Sequence, residues 1–244
     1  MMQAVILAGG LGTRLRDAVD DRPKALAVVA GQPFLAYLLV QLREQGFCDV
    51  VLCVGHLGEQ IRDHFGDGRR WGVSIQYAVE RQLLGTAGAL KNAAPLIDGT
   101  FLVLNGDSYL DDDLRQVVAL HQRRRDVPHL AGTLAMVWAQ DDTAAYGALQ
   151  LGPGLRIERF REKVRSGIHW INAGVYVLEP QVLATIPAGR TVSIERETFP
   201  WLLEQGQQLY ACPMTGFFAD IGTPQGYRAF QGYVASRGLP TTQT

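Results

Sequence analysis

The sequence predicts an α/β fold, a mostly parallel mixed sheet with helices on both faces. Two observations carry that expectation. Short apolar runs alternate with amphipathic stretches through the first half of the chain, the pattern of strand–helix–strand units wound around a sheet. A glycine-rich turn then follows the very first apolar run, at the kind of strand end where such sheets hold ligands.

In chain order, Gln3-Ala4-Val5-Ile6-Leu7 reads as a buried strand. Residues 34–45 read as a helix closed by Gly46, residues 57–65 as a second closed by Gly66, and residues 85–94 as a third closed by Pro95. Residues 50–54, 73–79 and 101–104 are the intervening strands, and residues 112–124 make one more helix. Further on, residues 130–138, 147–151, 155–160 and 174–178 are strand-rich with few helices between them. They predict a mixed or antiparallel extension of the sheet. Residues 193–205 and 224–236 read as closing helices, and residues 241–244 as a frayed tail.

At 244 residues the chain is long enough for one large domain with a substantial core. A formal net charge of −1 gives no basis for a nucleic-acid partner or an acidic membrane surface. No apolar run approaches a membrane span, and the first residues enter a strand, not a secretory signal. Cys48, Cys53 and Cys212 are odd in number and lack metal-ligand spacing. They predict a reduced, cytoplasmic protein in which Cys48 and Cys53 pack as small core residues. His56, His64, His121, His129 and His169 are scattered, and no Ser-His-Asp or Cys-His set emerges.

The loop after the first strand is the most informative stretch. Gly9, Gly10 and Gly12 let the backbone turn tightly and aim successive N–H groups at a phosphate chain. Thr13 adds a hydroxyl and Arg14 a guanidinium suited to bidentate phosphate contact. The spacing is neither Gly-x-Gly-x-x-Gly nor Walker-type, so dinucleotide-binding and P-loop readings lose their support. Asp107 follows a buried strand and Asn105-Gly106, a position suited to holding Mg²⁺ on a triphosphate. Of 23 basic residues only Lys24, Lys91 and Lys163 are lysine. Lys24 and Lys163 fall in motifs, where a compact ammonium fits a crowded phosphoryl centre better than a planar guanidinium. Lys91 reads as a solvated residue in mid-helix, and Arg123-Arg124-Arg125 as a solvated run at a helix end.

These motifs resemble those of the sugar-phosphate nucleotidyltransferases. The shared segments are Gly9-Gly10-Leu11-Gly12-Thr13-Arg14-Leu15, Pro23-Lys24-Ala25-Leu26, Glu80…Leu84-Gly85-Thr86-Ala87-Gly88 and Asn105-Gly106-Asp107. They continue with Tyr146-Gly147, Phe160-Arg161-Glu162-Lys163, Asn172-Ala173-Gly174-Val175-Tyr176 and Asp220-Ile221-Gly222-Thr223-Pro224. Short length, Ser193-Ile194-Glu195-Arg196-Glu197 and the Asp220 segment make it most similar to the D-glycero-D-manno-heptose 1-phosphate guanylyltransferases. Mannose 1-phosphate guanylyltransferases and N-acetylmuramate 1-phosphate uridylyltransferases are the alternatives within the class. A non-catalytic regulatory subunit is a remote one, opposed by the presence of Lys24, Asp107 and Asp220.

The resemblance implies a Rossmann-like nucleotide-diphospho-sugar transferase fold as one domain over residues 1–244. Residues 1–130 would bind chiefly nucleotide, residues 131–222 chiefly sugar, and residues 223–244 would close the fold. It implies transfer of a nucleoside monophosphate from a triphosphate, GTP favoured, to a sugar 1-phosphate, with Mg²⁺ as cofactor and a homodimeric assembly. Leu7, Ala8, Gly9, Gly10, Gly12, Thr13, Arg14, Lys24, Glu80, Gly85, Thr86 and Asp107 would line the nucleotide. Lys24, Arg14 and Asp107 would carry the chemistry, and Asp107 and Asp220 would hold the metal. Asn105, Gly147, Glu162, Lys163 and Asn172 would meet the sugar phosphate. At Glu80 a carboxylate accepts two parallel hydrogen bonds, matching guanine N1–H and N2–H₂, whereas uracil offers one donor on that edge. The hexapeptide repeats of a fused β-helical acyltransferase are not present.

Overall fold

The computed structural model describes residues 2–10, 23–139, 148–161 and 169–237. Its strands are β1 (Ala4–Leu7), β2 (Val28–Val29), β3 (Gln32–Pro33), β4 (Asp49–Val54), β5 (Ser74–Val79), β6 (Phe101–Asn105) and β7 (Ser108–Asp111). Then come β8 (Leu130–Ala139), β9 (Ala148–Leu151), β10 (Ile157–Arg161), β11 (His169–Leu178), β12 (Gln208–Met214) and β13 (Phe217–Asp220). The helices are α1 (Phe34–Glu44), α2 (Gly58–Phe65), α3 (Gly85–Ala93), α4 (Arg115–Gln122), α5 (Gln181–Thr185), α6 (Phe199–Glu204) and α7 (Pro224–Arg237).

The main sheet runs β10-β9-β11-β6-β1-β4-β5, with β8 beside β11 and β12 beside β8. β6, β1, β4 and β5 are parallel, so their carboxyl ends share one edge. β11 pairs antiparallel with β6, β8 and β9, which supplies the mixed extension expected from the sequence. Side-chain alternation sorts the core into two layers, as strand geometry requires. Ala4 and Ile6 of β1 face a layer with Leu38 and Leu42 of α1 and Phe230 of α7. Val5 faces the other, with Leu90 of α3 and Phe199 and Leu202 of α6. Helices therefore cover both faces of a Rossmann-like sheet.

Four sequence expectations change. β7 and β13 form a separate antiparallel pair, with Asp220 opposite Ser108, where the sequence predicts no strand. β12 was not expected either, because Pro213 interrupts it. Its backbone pairs parallel with β8 nonetheless, and proline is tolerated on a strand at a sheet edge. The helix expected over 193–205 begins instead as a π-type turn over Ile194–Thr198 and becomes α-helical only at α6. Two basic groups are also less solvated than expected. Lys91 Nζ donates to the Leu183 carbonyl at 2.8 Å, and Arg124 donates to Gly154 O while lying over the Tyr210 ring.

Candidate active site

The carboxyl edge of the parallel strands gathers most of the described candidate residues. Ala8 N–H donates to Cys53 O and Gly106 N–H donates to Leu7 O, so the turn leaving β1 lies between the ends of β4 and β6. Gly9 sits hard against Glu80: a Cβ there would come within 2.5 Å of Glu80 Oε1 and 3.3 Å of Gly55 N. A side chain at this place would therefore have to displace the Glu80 carboxylate. Glu80 directly follows β5 and is buried, and its Oε2 accepts the Leu84 N–H at 3.0 Å. Burial holds its carboxyl above the usual carboxylate range, an effect partly offset by that N–H. Gly85, with φ of +69°, opens α3, and its Cα packs against the Val192 carbonyl.

Asp107, Asp220 and Lys24 meet at one point. The β7–β13 pairing and the bond from Ile221 N–H to Asp107 O bring together residues distant in sequence. Lys24 stands on a short 3₁₀ turn after buried Pro23, and its Nζ lies 3.1 Å from Asp107 Oδ2. Asp220 Oδ1 accepts the Gly222 N–H at 2.7 Å. A Cβ placed on Gly222 would sit 2.7 Å from Asp220 Oδ1, 2.9 Å from Lys24 Nζ and 3.1 Å from Asp107 Oδ2. Two carboxylates and an ammonium thus converge over a glycine that leaves them room. Hard carboxylate oxygens of this number suit a small divalent cation that keeps several waters and phosphate ligands.

Asn105 and Asn172 lie close to this edge. A register shift in β11 between Asn172 and Tyr176, with Gly174 at φ +71°, bends the strand there, and bulges of this kind re-aim side chains beside ligand sites. The bend also lets Gly174 fit against the Asn105 side chain. Asn172 Oδ1 accepts the Gly174 N–H, and its amide nitrogen donates to the Tyr176 hydroxyl at 2.8 Å. Thr86 donates to Glu195, a residue not expected in the site. Glu195 and Gly222 were both visible within singled-out motifs. The helical reading of residues 193–205 hid the first, and only the folded β7–β13 pairing reveals the second. Gly12, Thr13, Arg14, Gly147, Glu162 and Lys163 fall outside the described residues.

Residues 3–236 match the nucleotidyl transferase family. Curated relatives include a UTP–glucose-1-phosphate uridylyltransferase of Synechocystis, 35% identical over 99% of this chain and 66% of its own length. A mannose-1-phosphate guanylyltransferase of Mycobacterium tuberculosis is 37% identical over 93% of this chain and 62% of its own length. The chain thus spans less than two thirds of these two proteins. By contrast, it matches 98% of a D-glycero-alpha-D-manno-heptose 1-phosphate guanylyltransferase of Campylobacter jejuni, at 32% identity and with 94% of this chain covered. Among solved structures, HddC from Yersinia pseudotuberculosis, complexed with GMP-PN, superposes with a TM-score of 0.81 at 29% identity. That likeness covers 96% of this chain and 99% of HddC. With the glycine turn, the two carboxylates and the lysine on one sheet edge, this agreement shows that the chain belongs to the nucleotidyl transferase family.

Proposed function

We propose that this protein is a sugar-1-phosphate nucleotidyltransferase that moves a guanylyl group from GTP to D-glycero-D-manno-heptose 1-phosphate and releases pyrophosphate. The observation that carries the reading is the convergence of Lys24, Asp107 and Asp220 over Gly222, at the strand edge that also holds Gly9 and Glu80. In the reaction a sugar-phosphate oxygen forms a bond to the α-phosphorus as the bond to the β-phosphate oxygen breaks. The phosphate dianion is already nucleophilic, so the protein's task is alignment and charge neutralisation. Lys24 meets charge on the α-phosphate and the departing pyrophosphate. Asp107 and Asp220 hold Mg²⁺, which when bound offsets the charge of the triphosphate. Thr13 and Arg14 hold the outer phosphates, with Leu7, Ala8, Gly10, Gly12, Gly85 and Thr86 around the nucleotide. Asn105, Gly147, Glu162, Lys163 and Asn172 receive the sugar phosphate.

Guanine is favoured because Glu80 is a carboxylate at the strand end where a base edge would lie, and the Mycobacterium and Campylobacter relatives are guanylyltransferases. Heptose is favoured because the Campylobacter relative matches nearly end to end. The same reading holds the protein to be cytoplasmic and homodimeric, a single unit with its nucleotide side in residues 1–130. Cys48, Cys53 and Cys212 are free thiols, and burial pushes Cys212 up to about 11. No helix among the described residues is long and apolar enough to cross a membrane.

A second reading, uridylyl transfer to a hexose 1-phosphate, draws on the Synechocystis relative. A matrix of four nucleoside triphosphates against heptose, mannose, glucose and N-acetylmuramate 1-phosphates, followed by pyrophosphate release, separates them. Strongest turnover with GTP and the heptose phosphate is expected. Preference for UTP would transfer support to the second reading, and no pyrophosphate from any pair would overturn both.

A further inference from the structure

One carboxylate outside the expected set links both halves of the site. Glu195 lies on the π-type turn before α6, an irregularity often found where function constrains a helix. Its Oε1 accepts from the Tyr176 hydroxyl at 3.0 Å and the Asn105 amide nitrogen at 3.4 Å. Its Oε2 accepts from Thr86 Oγ1 at 3.2 Å and Ser193 Oγ at 3.3 Å.

The directions of these bonds are forced. Tyr176 OH already accepts from the Asn172 amide nitrogen, so it donates to Glu195. Thr86 Oγ1 accepts the Ile194 N–H at 2.8 Å, and Ser193 Oγ accepts the Arg196 N–H, so both hydroxyls also donate to Glu195. An ionised carboxylate is acceptor-only and is the one side chain that can end four donor chains at once. Its acceptance from Asn105 fixes that amide with nitrogen toward Glu195 and oxygen away, and the oxygen is buried without a partner. Asn172 is fixed one step removed, through the fully buried Tyr176. Asn172 keeps a second N–H for an oxygen of the substrate.

We propose that Glu195 is a positioning residue that orients Asn105 and Asn172 toward the sugar 1-phosphate and ties them to Thr86 on the nucleotide side. The proposal rests on the sugar-1-phosphate reading above. Charged acceptors make the stronger hydrogen bonds, and replacing the acceptor by an amide turns one donor–acceptor contact into two opposed donors.

The test compares wild type with Glu195→Gln and Tyr176→Phe. Tyr176→Phe keeps the ring packed on Phe199 and removes only the hydroxyl, so it remains informative if Glu195→Gln folds poorly. Steady-state kinetics should show KM for the sugar 1-phosphate rising about tenfold in Glu195→Gln and less in Tyr176→Phe. KM for the triphosphate should stay within about threefold, because Thr86 retains its bond to Ile194. Equal shifts in both KM values, or wild-type kinetics with only a lowered Tm, would overturn the proposal. The side-chain amide resonances of Asn105 and Asn172, followed by NMR, give a readout that needs no turnover. Loss of their slow exchange in Glu195→Gln supports the orienting role, and unchanged exchange overturns it. A wild type inert toward every sugar 1-phosphate would instead defeat the functional reading.

Discussion

At Gly222 the smallest possible side-chain change tests the site. A methyl group there would press on Asp220 Oδ1 and Lys24 Nζ and crowd Asp107 Oδ2, so Gly222→Ala should lower kcat about a hundredfold while the circular dichroism spectrum stays native. Asp107→Asn, which removes one charge from the carboxylate pair, should cost at least as much, on the order of a hundredfold or more. Lys24→Arg keeps the charge but replaces a compact ammonium with a planar fork, so it should be nearly as damaging as Lys24→Ala. An active Lys24→Arg enzyme would show that charge alone suffices. Lys91→Arg, which can still donate to the Leu183 carbonyl, should leave rates unchanged. Glu80 makes two separate claims. Glu80→Gln should reduce kcat/KM for GTP about ten- to a hundredfold, the equivalent of roughly 1–3 kcal/mol for an unpaired polar group, and reduce it less for UTP. Because burial raises the Glu80 pKa in the folded state, the folded protein holds this proton more tightly than the unfolded chain. Stability from this group is therefore lost as pH rises from the ordinary carboxylate range through the folded value. Thermal melts of Glu80→Gln and wild type should differ more in the variant's favour at pH 7 than at pH 4.

At the scale of elements, the parallel half was legible because β1, β4 and β6 are largely apolar runs, β5 alternates apolar with polar residues, and α1, α2 and α3 each stop just before a glycine or proline. β1, α1, α2, α3 and α7 lie within two residues of where periodicity put them. What escaped is what periodicity does not encode. β7 and β13 are four residues each and pair only with one another, so neither shows enough alternation to stand out. The Ile194–Thr198 turn carries a helical composition and departs from α-helix where Thr198 N–H reaches back to Ser193 O and Phe199 N–H to Ile194 O. The site divides in the same way. Asp107, Lys24 and Glu80 follow recognisable local segments, but Glu195 and Gly222 acquire meaning through partners that chain order does not reveal. The β7–β13 pair is also the element whose failure should uncouple chemistry from binding. Ala219→Pro removes a backbone donor from a buried position in that pair. It should displace Asp220 and lower kcat far more than it lowers the affinity for triphosphate measured by equilibrium dialysis.

For the whole molecule, the last helix closes the first layer of the core. Phe230 is fully buried, with its ring centroid 5.0 Å from Phe34, 5.3 Å from Tyr37 and 4.9 Å from Tyr109. Phe230→Ala should destabilise the protein by about 3–5 kcal/mol, read as a lower urea midpoint, and activity should disappear at that same lowered midpoint. The coincidence is expected because α7 starts immediately after the Asp220–Thr223 turn. That arrangement sets an order of events during synthesis. As the chain leaves the ribosome, the parallel strands β1, β4, β5 and β6 emerge early and can pair among themselves. Asp107 waits without its counterpart until β13 arrives to lie against β7. A nascent chain can therefore pair its early strands long before it has both acids, and the two carboxylates meet only once β13 lies against β7.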